Sequence, residues 1–219
     1  MALSAADART FERCIAVGGI AVFPADTVYG LACEPDSKEA VQRLYMLKRR
    51  RPDKPAAVMF FALDLALAAL PELGPRTTGA LHALLPGPVT LLLPNPAGRF
   101  PLACATDIAT LGLRVPAWPP ALAAMADVRW PVLQSSANAA GGPDARRLED
   151  VPEYMRAHTD LVLDGGELPG TPSTVVDLRS YEADGEFVVA REGAMSVTEL
   201  SARLESAPCT FELRRSRAA

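Results

Sequence analysis

Short apolar runs, each shut off by proline, recur along this chain and limit what it can fold into. Ile20–Phe23 stops at Pro24, Val89–Leu93 at Pro94, and Leu111–Val115 at Pro116. Proline fixes φ and removes a backbone donor, so it ends a strand sharply and stiffens the loop that follows. Between these runs lie stretches with helical spacing of apolar residues. Short buried strands alternating with amphipathic helices call for a mixed α/β sheet with helices against it, and a site carried on the stiffened loops.

Taken in order, residues 4–18 read as a helix capped by Ser4, with Ala8, Phe11 and Ile15 on one face and Gly18-Gly19 as the stop. The strand Ile20–Phe23 follows, then a turn over Asp26–Gly30 and a second strand through Leu31–Cys33. Ser37 caps a helix with Ala40, Val41, Leu44 and Leu47 inward, which runs out in Lys48-Arg49-Arg50-Arg51 before Pro52. Ala57–Phe61 is apolar throughout, as in a strand covered on both faces. Helices are expected over 62–71 and 76–85, whereas 97–108 carries no clear pattern. A helix near 119–126 leads to a strand over Pro131–Gln134 and then Ser135-Ser136-Ala137-Asn138. After the polar loop 139–147 come a helix near 149–158, a strand over Leu161–Leu163 and the turn Asp164-Gly165-Gly166. Ser173-Thr174 opens a strand through Leu178, joined to Phe187–Ala190 as a hairpin across a two-residue Asp184-Gly185 turn. A last helix spans Ser196–Leu204, and the tail 206–219 is basic.

A chain of 219 residues can bury one substantial core. No apolar run approaches the ~20 residues of a membrane span, and the N-terminus has no apolar leader segment, so a cytoplasmic protein is expected. The four cysteines, Cys14, Cys33, Cys104 and Cys209, form no CxxC pair, which argues against a zinc site or a disulfide framework. A net charge of −4 confines any nucleic-acid contact to a local patch. The two histidines, His82 and His158, fall in helical patterns, and no HExxH, GxSxG or Walker loop occurs. An enzyme built from these residues would work by positioning and charge rather than through a covalent intermediate.

Four groups of residues are candidates for a site, and each has a structural reading beside the functional one. Lys48, Arg49, Arg50, Arg51 and Lys54 are either a solvated helix end or an anion site held stiff by Pro52 and Pro55. The Ser135–Asn138 segment, at the end of an apolar strand, is either a turn or a set of donors and acceptors for a phosphate, ribose or base. Arg114, alternating with Leu113 and Val115, either points to solvent or clamps a carboxylate or phosphate. Ser173-Thr174 and Arg191-Glu192-Gly193 are either turn chemistry or the ends of a hairpin facing a ligand.

Together these segments resemble the YrdC-like family of threonylcarbamoyl-adenylate synthases. GGIAVFPADTVYGL (18–31), the cationic segment through KP (48–55), PGPVT (86–90), LRVP (113–116), SSAN (135–138), DGG (164–166), STVVDL (173–178) and REG (191–193) lie in that family's order. The resemblance covers residues 18 to about 205 and implies a YrdC-like domain over 1–205: a single open, twisted mixed sheet with flanking helices and a positively charged concave face. It implies a nucleotidyltransferase that makes threonylcarbamoyl-AMP and pyrophosphate from L-threonine, bicarbonate and ATP with Mg²⁺. The product would feed a threonylcarbamoyl-transferase complex that modifies adenosine in tRNA, with at most a weak direct contact to tRNA or double-stranded RNA.

By matching positions, Lys48 and Arg50 would hold the ATP phosphates as the catalytic cations. Thr110, Ser136, Asn138 and Arg191 would also serve the nucleotide, and Thr27, Arg114 and Ser173 the threonine; no residue is implied as a metal ligand. Two departures stand out. Ala25 occupies a place where the family usually has threonine, and proline comes one residue late, at Pro52. A lost hydroxyl contact costs about 0.5–1.5 kcal/mol of binding where that contact is made. A non-catalytic RNA-binding module and a carbamoyl-transfer homologue are the competing expectations.

Overall fold

The computed structural model describes residues 2–206, so the basic tail from residue 207 on lies outside the described residues. Nine strands form one sheet in the order β7-β1-β2-β6-β3-β5-β4-β8-β9. The strands are β1 (Ala21–Pro24), β2 (Tyr29–Cys33), β3 (Ala57–Met59), β4 (Val89–Pro94), β5 (Thr110–Arg114), β6 (Val132–Ser136), β7 (Leu161–Val162), β8 (Thr174–Asp177) and β9 (Val188–Arg191). Three pairs are parallel, β1 with β7, β3 with β5 and β4 with β8; the other five are antiparallel, which makes the sheet mixed as expected.

The helices are α1 (Ala5–Ala16), α2 (Lys38–Leu47), α3 (Leu63–Ala69), α4 (Pro75–Leu84), α5 (Pro101–Cys104), α6 (Glu153–Ala157), α7 (Tyr181–Asp184) and α8 (Val197–Glu205). Ser4 caps α1 in a reciprocal box with Asp7, Ser37 caps α2, and Ser196 caps α8. Each hydroxyl satisfies an amide that the first helical turn leaves unpaired.

Two apolar clusters sit on opposite faces of the sheet. The larger joins Leu31, Val58, Leu91, Leu111, Leu113 and Val176 to Leu44 of α2, Leu81 and Leu84 of α4 and Leu200 of α8. The smaller packs Phe11 and Ile15 of α1 and Met125 against Ala21, Phe23, Ala32, Met59 and Val132. Within it Phe11 meets Phe61 edge to face, with centroids 5.5 Å apart, and packs at a tilt against Phe23, with centroids 5.2 Å apart. That cover ends at β3. On β4, β5 and β8 buried residues alternate with half-exposed ones, so the second face is open over this half of the sheet. Thr110, Gly112 and Arg114 belong to that face, because Leu111 and Leu113 between them are in the larger core.

Several local expectations are corrected. β2 starts at Tyr29, so the turn after β1 is shorter than Asp26–Gly30, and β6 runs on to include Ser135 and Ser136. The segment 119–126 is a 3₁₀ helix (Pro120–Asp127), and 149–158 is a 3₁₀ turn plus α6, broken by Pro152. β8 and β9 pair as the expected hairpin, Val176 opposite Val189, but α7 sits between them in place of a two-residue turn. Gly185 follows as the left-handed C-cap of α7, at φ 78°. The unassigned stretch 97–108 holds α5, built around Asn95, whose side chain bonds Arg99 N, Arg99 O and Ile108 O.

Candidate active site

Arg114 does not point to solvent. It closes β5 with only 3% of its surface exposed. Its Nη2 donates to Asp26 Oδ1 at 2.6 Å and to Thr27 Oγ1 at 3.3 Å. Burial pushes the Asp26 carboxyl up and the Arg114 guanidinium down, and each partner's charge opposes the shift of the other. A buried ion pair keeps its place only when its polar atoms are satisfied. Here one is not: Arg114 Nε is buried with no partner. Arg191 lies near enough for its charge to work against Arg114 as well. Its Nη2 donates to Ser173 O at 2.7 Å, and the Ser173 hydroxyl lies 2.8 Å from Thr90 Oγ1. The two guanidiniums, with Thr27 and Ser173 beside them, make a place where an anion relieves repulsion and finds donors.

The cationic segment resolves into separate fates. Lys48 follows α2 and is 1% exposed. Its ammonium donates to the carbonyl of Ser136, to Asn138 O at 2.8 Å and to Asn138 Oδ1 at 3.1 Å. Ser136 Oγ lies 2.7 Å from Asn138 Oδ1, and Asn138 Nδ2 donates to Gly142 O at 2.7 Å. The structure thus brings Lys48, Ser136 and Asn138 together as one network. Burial first, and then the charge of Arg50, lowers the Lys48 pKa to about 8; Asp144 acts the other way. Arg50 bends back so that Nη2 meets Pro55 O at 2.6 Å, over the ring of Tyr45, and its Nε is buried without a partner. Arg49, at φ 50°, lies over Tyr154, and Arg51 pairs with Asp53 at 2.6 Å. Thr110 begins β5, four residues from Arg114, beside Arg179.

Tyr29 and Ala25, both near the expected threonine site, are spoken for structurally. The Tyr29 hydroxyl bonds Gly166 O at 2.9 Å and Asp164 Oδ1 at 3.1 Å, and accepts from Gly165 N at 3.0 Å. It ties the first sequence motif to the Asp164–Gly166 turn. Ala25 is fully buried in the smaller apolar cluster. Glycines in two motifs mark close approaches. A Cβ on Gly165 would fall 2.5 Å from Pro24 Cγ, and one on Gly193 2.3 Å from Pro172 O. Gly193 therefore lets the end of β9 lie against the segment that presents Ser173.

Sequence reading did not single out Asp26, Thr90 or Arg179, which the structure places beside Arg114, Ser173 and Thr110 respectively. Asp26 stood inside the first motif, and an acid three places before Tyr29 is a signal only once Arg114 is known to be buried. Arg179 follows a strand at a loop end, where a lone arginine carries no pattern.

A family model, Sua5/YciO/YrdC, described as telomere recombination, matches residues 13–193. Threonylcarbamoyl-AMP synthase of Xanthomonas campestris pv. campestris is 35% identical over 170 residues, 76% of this chain and 90% of that protein. The crystal structure of Pyrococcus abyssi Sua5 complexed with L-threonine superposes with a TM-score of 0.79 at 26% identity, over 93% of this chain. The chain spans 58% of that Sua5. Escherichia coli YciO has the same fold, with a TM-score of 0.73 at 23% identity over 90% of this chain and 94% of that one. With the sheet order, the placed motifs and these matches in agreement, the chain belongs to the Sua5/YciO/YrdC family.

Proposed function

We propose that this protein is a threonylcarbamoyl-AMP synthase, a nucleotidyltransferase that joins L-threonine, bicarbonate and ATP. One observation carries the reading. Four buried side-chain nitrogen or oxygen atoms lack a partner among the described residues, and two of them are the Nε atoms of Arg50 and Arg114. Buried donors without acceptors are costly, and an anionic ligand supplies the acceptors. Arg50 then takes the triphosphate and Arg114 the threonine carboxylate, with Thr27 and Ser173 around the amino acid. The names of relatives such as the Xanthomonas protein support the same assignment.

The chemistry asks little of a protein nucleophile. Threonine's amine and bicarbonate condense to a carbamate with loss of water. A carbamate oxygen then forms a bond to the α-phosphorus while the bond to pyrophosphate breaks. Alignment of the two substrates and cations on the developing charge are what such a transfer requires. Arg50 and Arg191 provide the charge. Lys48, whose ammonium is bonded to Ser136 and Asn138, fixes the loop that meets the nucleotide rather than touching phosphate itself. Mg²⁺ comes with ATP and takes most of its ligands from phosphate and water. An RNA-binding role has weaker support, because Arg49 and Arg51 are engaged with Tyr154 and Asp53 rather than aligned in one stripe.

Pyrophosphate release from ATP, bicarbonate and Mg²⁺ tests the reading. It should depend on L-threonine, and release at the same rate without threonine would contradict it.

A further inference from the structure

Gln134 sits in the middle of β6 with 5% of its surface exposed, and among the described residues no hydrogen bond holds its carboxamide. A buried amide without partners is costly, so a ligand that supplies them is favoured there. The side chain shares the second sheet face with Val132 and Ser136, because Leu133 lies in the larger core. It reaches over Gly30 of β2, where a Cβ would fall 2.9 Å from Gln134 Nε2 and 3.1 Å from Phe23 Cε1. Glycine there leaves the room that the carboxamide occupies.

The register places this carboxamide between the two halves of the site. Ser136, joined to Lys48 and Asn138, stands two residues along β6 on one side. On the other, Gln134 faces Ala57 of β3, and Ala57 faces Gly112 of β5, two residues short of Arg114. At strand spacings of roughly 4.8 Å and rises of roughly 3.3 Å per residue, Ser136 and Arg114 lie about 7 and about 12 Å from Gln134 along the sheet. Ala57 and Gly112 are small and half-exposed, so the space between Gln134 and Arg114 is open.

We infer that Gln134 holds the one-carbon unit of the reaction, first as bicarbonate and then as the threonine carbamate. The inference rests on the proposed synthase reading and adds a residue to it. With the threonine carboxylate on Arg114 and the nucleotide by Ser136, the carbamate is the part of the reacting pair that lies between. Its N–H donates and its C=O accepts, side by side; a primary carboxamide offers the reverse pair, Oε1 and Nε2. Two such bonds fix the carbamate in one plane and leave its other oxygen free. The neutral amine of threonine and bicarbonate join through a new N–C bond and release water. The free oxygen then bonds to the α-phosphorus as the bond to pyrophosphate breaks. A neutral donor suits this step, because a cation on the carbamate would draw away the electron density that the attacking oxygen needs.

Pyrophosphate release by the full chain, in carbonate-depleted buffer with bicarbonate added back, tests this. Gln134→Met keeps the length of the side chain and loses both polar atoms, and should raise the bicarbonate KM about tenfold or more. Gln134→Glu keeps the shape, loses the Nε2 donor and adds a like charge, and should raise it further. Calorimetric affinities of Gln134→Met for L-threonine and Mg-ATP, measured without bicarbonate, should stay within about twofold of wild type. Its thermal transition should be no lower than that of wild type, since an unpartnered buried amide is replaced by an apolar group. An unaltered bicarbonate KM in Gln134→Met would overturn the inference. So would a threonine affinity lowered by the same factor, which would make Gln134 a ligand of threonine itself. Wild-type release that ignores threonine would overturn the synthase reading, and this inference with it.

Discussion

Lys48 and Asn138 are 90 residues apart in sequence, yet the Lys48 ammonium lies 2.8 Å from the Asn138 carbonyl and 3.1 Å from its side-chain oxygen. One buried cation therefore holds the loop after β6 in place. Its lowered pKa gives two opposite pH trends. The neutral amine has one N–H fewer to share among three acceptors, so ATP affinity should fall as pH rises through about 8. The folded pKa lies below the ordinary lysine value of 10.5, so between those values the unfolded chain binds more protons at this site. Its contribution to stability should therefore rise with pH over that window. Calorimetry with ATP and urea denaturation, both from pH 7 to 10, check the two trends, and an ATP affinity flat to pH 10 would remove the ammonium from the account. Lys48→Met should cost about tenfold or more in ATP affinity.

The Arg114–Asp26 pair should behave as a buried unit. Arg114→Ala leaves a carboxylate without its counter-charge and should cost about 3–5 kcal/mol of stability. Asp26→Leu with Arg114→Met removes both charges and should restore most of that, while threonine-dependent turnover stays lost. Urea denaturation beside the pyrophosphate assay separates the two effects. A double variant that still responds to threonine would show that Arg114 is not the carboxylate ligand.

Tyr29→Phe should destabilise by about 1–3 kcal/mol, because the Gly165 amide and the Gly166 carbonyl both lose a buried partner. Thermal denaturation reads this directly. The apparent KM for threonine should change less than about twofold, since the hydroxyl is committed to the Asp164–Gly166 turn.

Gly193→Ala should cost about 1–3 kcal/mol, as overpacking against rigid backbone does. The added methyl would sit 2.3 Å from Pro172 O and 2.6 Å from the Ser173 carbonyl carbon. The shift should also loosen the Ser173–Arg191 contact and raise the KM for threonine. A thermal scan and the threonine KM of one variant test both parts.

The strands were legible because short apolar runs between prolines have few alternatives, and the capped helices α1, α2 and α8 because serine announces their starts. The stretch 97–108 was not, since Asn95 builds it with side-chain bonds to Arg99 and Ile108 rather than with a repeating pattern. For the site, Lys48, Ser136 and Asn138 were expected in one place, and the structure joins them directly. What periodicity could not give was the partner of a buried charge. Arg114 alternates with apolar residues whether it faces water or Asp26, and only the fold of the turn after β1 decides.

The central claim is that Arg50 and Arg114 hold two different substrates of one reaction. The most direct test is pyrophosphate release by wild-type protein and by Arg114→Lys, with ATP, bicarbonate and Mg²⁺, over a range of L-threonine concentrations. The account predicts release that depends on threonine, with the variant's threonine KM raised about tenfold or more and its ATP affinity unchanged. Release independent of threonine in the wild type, or an Arg114→Lys variant with an unaltered threonine KM, would contradict it.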